Sequence, residues 1–176
     1  MLSILQLIVD TVATILGGVL LLRFWMQAIR VRPPASVAQF TFTLSDWLVR
    51  PLRRLVPGVG GYDWASLIGA FLVVMLATSI YFLQGMDGQT VFLMALHRFL
   101  TWIIYGFISL LIVEAVFSWI NPHAPLAPFV RALNDPLLRP LRRVVPLVGG
   151  LDLSLLVALI LLQIAQLVLG MVFGYR

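Results

Sequence analysis

The sequence predicts an all-α fold, a polytopic membrane protein with four transmembrane helices in two parallel repeats. Of its residues, 61% are hydrophobic and only 11% are charged, and the mean hydropathy is +1.05. A soluble domain carries about 25% charged residues. Four apolar spans account for the difference, at approximately 3–29, 62–84, 91–119 and 150–174. Each is long enough to cross a hydrocarbon core of ~30 Å as a helix.

The repeat is visible as a segment that occurs twice. Residues 46–63 recur 89 positions later as residues 135–152, and 13 of the 18 paired positions are identical. A gap-free offset of this kind is typical of a tandem duplication. We therefore divide the chain into a first repeat, 1–88, and a second repeat, 89–176, each with two spans.

Several classes of protein are disfavoured. The first span has no basic residue before it and is too long for the apolar core of a cleavable signal peptide. The absence of cysteine rules out disulfides and thiolate ligands. No phosphate-binding loop, nucleophilic triad or metal-ligand spacing is visible, and His97 and His123 lie in different parts of the repeat. We expect no enzymatic activity, cofactor or metal.

The distribution of arginine predicts the orientation. All twelve cationic residues are arginine, and the turn at 85–90 between the second and third spans contains none. The arginines cluster between spans one and two and between spans three and four. By the positive-inside rule, both arginine segments are cytoplasmic and both termini lie outside, so the two repeats run parallel.

Each arginine segment begins with an amphipathic stretch, within residues 35–57 and 124–146. These stretches are too short and too polar to span, so we expect helices that lie in the cytoplasmic interface. The apolar faces comprise Val37, Phe40, Leu44, Trp47 and Leu48, and Leu126, Phe129, Leu133 and Leu137. The polar faces comprise Gln39, Thr41, Ser45 and Asp46, and Arg131, Asn134 and Asp135. Asn134-Asp-Pro136 also resembles a helix start, so a second short helix could begin there.

The repeated segment then predicts a separate basic turn. Pro51 and Pro140 suit the first position of a single helical turn, which Pro57 and Pro146 would end. The paired glycines 60–61 and 149–150 would bend the chain back toward the membrane. The turn places three arginines on one face in each repeat: Arg50, Arg53 and Arg54, and Arg139, Arg142 and Arg143.

Three roles are open for these arginines. They could bind anionic lipid headgroups at roughly 1 kcal/mol each, form salt bridges to Asp46 and Asp135, or present a basic platform to a membrane or cytoplasmic protein. Nucleic acid is not expected as a partner, because the basic segments are short and partly embedded. Asp63 and Asp152 are placed to cap the returning helices.

Charged residues also occur inside the spans, where each costs at least ~2.5 kcal/mol unless it is paired or solvated. Asp10 is expected to pair with Arg98 or His97, or each could reach the outer headgroups separately. Arg23 and Glu114 lie at similar depth, so we expect a pair across the repeat interface. Such a pair is either a structural link or part of a transport pathway. Gly17-Gly18 would permit close helix approach.

The doubled Arg-Pro-Leu-Arg-Arg, Val-Pro, Gly-Gly and Asp pattern resembles the YggT family over nearly the whole chain. Arg23-Phe-Trp-Met-Gln and Phe117-Ser-Trp-Ile-Asn-Pro122, at the ends of the first and third spans, resemble it too. The resemblance implies a bacterial inner-membrane protein, with relatives associated with osmotic-shock tolerance and potassium homeostasis. Other relatives neighbour cell-division genes or are linked to cytochrome b haem attachment and nucleoid organisation. It favours a non-catalytic scaffold or assembly factor. A small oligomeric ion or osmolyte channel is the alternative, and haem handling is a third.

Overall fold

The computed structural model describes residues 2–145 and 152–174, and every regular element in this part of the chain is helical. The elements are α1 (Leu2–Ala28), α2 (Ala35–Leu55), α3 (Trp64–Thr78) with a 3₁₀ extension (Ser79–Gln84), α4 (Gly88–Ile120), α5 (Ala127–Arg142) and α6 (Leu153–Val172). The predicted all-α fold is confirmed.

Four of these elements are long and apolar enough to cross a membrane: α1, α3 with its extension, α4 and α6. Their outer surfaces carry large apolar side chains, of which Leu76, Leu167 and Met171 are among the most exposed. Water would not accommodate such a surface, whereas the hydrocarbon of a bilayer does. The chain is therefore a polytopic helical membrane protein.

The helices make the same set of contacts in each half of the chain. Helix α1 packs on α3, and α2 contacts both of them, just as α4 packs on α6 and α5 contacts both of those. Helix α4 joins the halves through contacts with α1 and α3. Apolar side chains form a buried cluster in each half, around Leu20, Val49 and Ala70 in the first and around Leu111 and Leu138 in the second.

Helices α1 and α4 run in the same direction. Near their beginnings, the Nη1 atom of Arg98 lies 2.7 Å from the Oδ1 atom of Asp10. Further along both helices, the rings of Trp25 and Phe107 pack edge-on with centroids 4.9 Å apart. Trp25 also donates its indole N–H to the carbonyl oxygen of Leu133 in α5, at 2.9 Å. The arginine-rich ends of the two halves consequently lie at the same end of the bundle.

Helices α2 and α5 are continuous, so the predicted separate basic turns are wrong. Pro51 lies inside α2, and Pro136 and Pro140 lie inside α5. A proline within a helix removes one backbone hydrogen bond, but in α2 the buried face extends across it. Val49 before the proline and Leu52 after it join the same apolar cluster. Pro146, Gly149 and Gly150, which were expected to end and bend the second turn, fall outside the described residues.

The structure also shows which residues of α2 and α5 face the bundle, which the sequence pattern left open. Thr41 and Ser45, assigned to the polar face of α2, are completely buried against the bundle, and Asn134 is buried equally in α5. Phe40 and Trp47, assigned to the apolar face, are 58% and 64% exposed, as side chains on a lipid-facing side would be. The burial of Ser45 and Asn134 follows from the buried charges Arg23 on α1 and Glu114 on α4, which require polar partners from the helices that cover them.

A glycine allows the close contact between α1 and α4. A Cβ atom on Gly17 would lie 2.2 Å from the Cζ3 atom of Trp102, which is far inside van der Waals contact. A Cβ atom on the next residue, Gly18, would have no neighbour within 4 Å. Of the two glycines predicted to permit close approach, Gly17 is the one that does so.

Gly17→Ala should therefore destabilise the fold by about 1–3 kcal/mol, the usual cost of overpacking a tight interface. Gly18→Ala is the matched control, because it makes the same change in helix propensity without the steric conflict. Thermal unfolding of both variants in detergent measures the difference. Equal melting temperatures would contradict the assigned contact.

Candidate functional site

A buried arginine organises the first of two ion-pair clusters, where α1, α2 and α3 meet. Arg23 in α1 is only 5% exposed. Its Nη1 atom donates to the hydroxyl of Ser45 at 2.6 Å and to the Oδ1 atom of Asp46 at 2.7 Å. Its Nε atom lies 3.5 Å from the Oδ2 atom of Asp63. Arg23 thus links the span α1 to the helix α2 and to the start of α3.

Asp63 is the anionic centre of this first cluster. Arg53 donates to both of its carboxylate oxygens, at 2.7 and 3.2 Å, and Ser66 donates its hydroxyl at 2.6 Å. Asp63 occupies the N-cap position of α3, but its side chain accepts no capping bond from a backbone N–H. The predicted side-chain cap is therefore wrong, because the carboxylate of Asp63 accepts its hydrogen bonds from the Arg53 guanidinium and the Ser66 hydroxyl.

The second cluster lies where α4, α5 and α6 meet, and Arg142 is its centre. The Nε atom of Arg142 donates to the Oδ2 atom of Asp152 at 2.7 Å, and its Nη2 atom donates to Glu114 at 3.2 Å. Its Nη1 atom lies 3.9 Å from Asp135. Asp152 also accepts a hydrogen bond from the backbone N–H of Ser154 at 3.0 Å, so its predicted role as a helix cap is confirmed.

Glu114 brings the span α4 into the second cluster. It is 7% exposed, and the side-chain amide of Asn134 donates to its Oε2 atom at 2.7 Å. The same amide donates to the carbonyl oxygen of Leu110 at 2.9 Å. Asn134 therefore holds α5 against α4.

The two clusters share the same set of ion pairs, but the membrane span adds a charge of opposite sign to each. Arg53–Asp63 and Arg142–Asp152 occupy equivalent positions, as do the helical pairs Asp46–Arg50 and Asp135–Arg139. The difference is the residue that the span supplies, because α1 contributes the cation Arg23 and α4 contributes the anion Glu114. The first cluster consequently holds three arginines and two carboxylates, and the second holds two arginines and three carboxylates.

The predicted pair between Arg23 and Glu114 is wrong. Each residue finds its partners within its own half, at 2.7 Å for Arg23 and Asp46 in α2 and at 3.2 Å for Glu114 and Arg142 in α5. The sequence placed both charges at similar depth but gave no information about the direction in which they point. Ser66, whose hydroxyl donates to Asp63, lies in an apolar span and shows no sequence signal for this contact.

At the opposite end of the bundle, the predicted pair of Asp10 and Arg98 is confirmed, with a separation of 2.7 Å. The Arg98 guanidinium also lies 5.3 Å from the ring centroid of Trp102. His97, the alternative partner for Asp10, has its ring 5.3 Å from that of Phe173. Within residues 2–145 and 152–174, no three His, Cys, Asp or Glu side chains are grouped to hold a metal ion.

The carboxylates of the clusters are held in their ionised form. The hydrogen bond from Arg23 keeps the pKa of Asp46 below its ordinary value. Burial opposes ionisation of Asp63 and Asp152, but hydrogen bonds from Arg53 and Ser66, and from Arg142 and Ser154, outweigh it and lower both pKa values. These groups are therefore suited to structural ion pairing at neutral pH.

An apolar cavity of about 350 Å³ lies between α1 and α4. Its walls include Leu21, Trp25, Trp102 and Phe107, with the open faces of Gly18 and Gly106 between them. Such a lining favours hydrocarbon over water or ions.

Asp63→Asn should lower the free energy of unfolding by about 3 kcal/mol, because it leaves the buried Arg23 with fewer compensating charges. Arg50→Gln is the control, since it removes an exposed helical pair of the kind that contributes about 0.3–0.5 kcal/mol. Thermal unfolding in detergent checks both. A loss for Asp63→Asn no larger than that for Arg50→Gln would contradict a structural role for the buried pairs.

The difference in stability between the wild type and Asp63→Asn should depend on pH. The pKa of Asp63 is lower in the folded protein than in the unfolded chain. The ionised carboxylate therefore stabilises the fold fully above the unfolded-state pKa of about 3.9, and this stabilisation is lost as the pH falls through the folded-state pKa. The melting temperatures of the wild type and Asp63→Asn should therefore converge below about pH 4. A constant difference down to pH 3 would contradict this linkage.

Comparison with known proteins identifies relatives along nearly the whole chain. YggT of Escherichia coli strain K12 is 29% identical over 171 residues, which cover 93% of this chain and 87% of the relative. An uncharacterized protein of Pseudomonas aeruginosa is 35% identical, covering 91% and 85%. A Vibrio alginolyticus protein, described as uncharacterized and in the proC 3′ region, is 28% identical, covering 97% and 95%. No solved structure matches the chain.

The sequence model of the CCB3/YggT family matches residues 1–84 and 93–173. The resemblance expected from the repeated arginine segment is thereby confirmed, and the chain belongs to the CCB3/YggT family.

Proposed function

We propose that the chain is a non-catalytic membrane scaffold or assembly factor that presents the interfacial helices α2 and α5 as a fixed surface. The observation that carries this proposal is the pair of ion-pair clusters. In each half, three separate helices meet in charged contacts that hold the interfacial helix against the spans. A surface positioned in this way is suited to binding other membrane components.

The outer side of α2 supports the proposal, because it carries large side chains that the fold leaves uncovered. Phe40, Trp47 and Leu55 are 58%, 64% and 80% exposed. Aromatic side chains of this kind are frequent in membrane interfaces and in protein contacts. The surface could also join copies of the chain in a homo-oligomer, or bind a cytoplasmic protein.

Transport is the alternative function, since Glu114 and Arg23 are charges within spans. Two observations favour the scaffold. Both charges are bonded to interfacial helices, and the cavity between α1 and α4 has an apolar lining. Four spans are few to enclose a pore, so a transport function would also require an oligomer.

Purified protein in liposomes should give no potassium flux above empty liposomes under an osmotic gradient. Glu114→Gln should be equally inactive, and valinomycin serves as the positive control for vesicle integrity. Flux through the wild type that Glu114→Gln alters would overturn the scaffold proposal and assign a transport pathway to the second cluster.

The proposed location is the bacterial inner membrane, with the arginine-rich end in the cytoplasm and both termini outside. Alkaline phosphatase is active only outside the cytoplasm. Fused after Phe173, it should be active in intact cells, whereas a fusion in the segment between α2 and α3 should be inactive. The reverse pattern would contradict this orientation.

A further inference from the structure

We infer that five unpaired arginines at one end of the bundle bind the phosphate groups of anionic phospholipid headgroups. They are Arg30, Arg32, Arg54, Arg131 and Arg143. This inference rests on the proposed scaffold function and identifies the partner of its surface. It follows from how the fold divides the arginines between internal pairs and solvent.

The ten arginines at this end form two groups of five. One group is paired with carboxylates: Arg23, Arg50, Arg53, Arg139 and Arg142. These pairs use all five carboxylates of this end, namely Asp46, Asp63, Glu114, Asp135 and Asp152. The other group is exposed, and none of its members forms an ion pair within the described part of the chain.

The whole formal charge of the protein therefore resides on the unpaired group. The chain has twelve arginines and seven carboxylates, which gives +5. Arg98 and Arg176 balance Asp10 and Asp87 in formal charge, and the paired group is neutral with its five carboxylates. The five remaining arginines account for the entire +5, so this surface attracts anions.

The neighbouring side chains favour a lipid over a soluble anionic partner. Arg54 is followed by Leu55, which is 80% exposed, and Arg143 is followed by Val144, which is 81% exposed. The two pairs occupy equivalent positions, 89 residues apart. A cation beside an exposed apolar residue fits the boundary between headgroups and acyl chains, where each finds its own medium.

Trp119 supports the same placement, since it lies near the end of α4 and is 80% exposed. Tryptophan is enriched at the level of the headgroups. The unpaired arginines lie at the same end of the bundle as Trp119, and a guanidinium group can donate two parallel hydrogen bonds to a phosphate. The surface thus carries the positive charge that anionic headgroups attract, and its exposed tryptophan fits a position at the level of those headgroups.

The test uses the full-length protein in neutral detergent micelles, titrated with brominated phosphatidylglycerol while tryptophan fluorescence is recorded. Trp47 and Trp119 are exposed at this end and should be quenched. Brominated phosphatidylcholine provides the neutral comparison. The wild type should bind phosphatidylglycerol more tightly, and the preference should decrease with salt. Arg54→Gln with Arg143→Gln should weaken binding about fivefold per arginine, and thus roughly 25-fold.

Arg50→Gln with Arg139→Gln is the matched control. It removes the same charge from side chains that are also exposed, at 78% and 68%, but are already paired with Asp46 and Asp135. It should retain most of the phosphatidylglycerol affinity. Arg54→Lys with Arg143→Lys should retain part of it, and a cooperative thermal unfolding transition near that of the wild type would show that each variant is folded.

Two results would overturn the inference. Equal binding of the two lipids by the wild type would show that the surface does not select anionic headgroups. Equal losses in the two glutamine variants would show that net charge, and not the unpaired arginines, determines the affinity. Neither result bears on potassium flux, so failure of this inference is distinguishable from failure of the scaffold proposal.

Discussion

The arrangement of the helices depends on one ion pair that occurs in each half, Arg53–Asp63 in the first and Arg142–Asp152 in the second. The arginine lies near the end of an interfacial helix, and the aspartate lies immediately before the span that follows. The pair therefore fixes the point at which the chain leaves the interface and re-enters the bundle. Without it, the nine residues between the two partners would not determine where the next span begins.

The first span of each half adds a charge to this ion pair, and the two added charges have opposite sign. This difference explains how two similar segments produce different clusters. Arg23 places a cation between two aspartates, whereas Glu114 places an anion between Arg142 and the amide of Asn134. A buried charge is tolerated only where opposite charges or hydrogen bonds compensate it. The polar residues Ser45 and Asn134, which occupy equivalent positions, meet this requirement from α2 and α5.

Local pattern and composition were sufficient to predict the spans, the helical structure of α2 and α5, and the Asp10–Arg98 pair. They were insufficient for the direction of side chains in α2, because a helical pattern identifies two faces without stating which faces the bundle. They also failed at Pro51, since a proline signals a helix boundary unless packing on both sides of it outweighs the lost hydrogen bond. The pair between Arg23 and Glu114 failed for a related reason, because equal depth does not establish contact.

The difference between paired and unpaired arginines could not be read from the sequence, where Arg53 and Arg54 are adjacent and equivalent in composition. In the fold, Arg53 reaches the buried Asp63, while Arg54 turns outward beside the exposed Leu55. The same division recurs at Arg142 and Arg143. One helical step thus separates an arginine that holds the fold together from one that is available to a partner. Because both halves preserve this order, the basic surface and the ion-pair clusters are consequences of the same repeated segment.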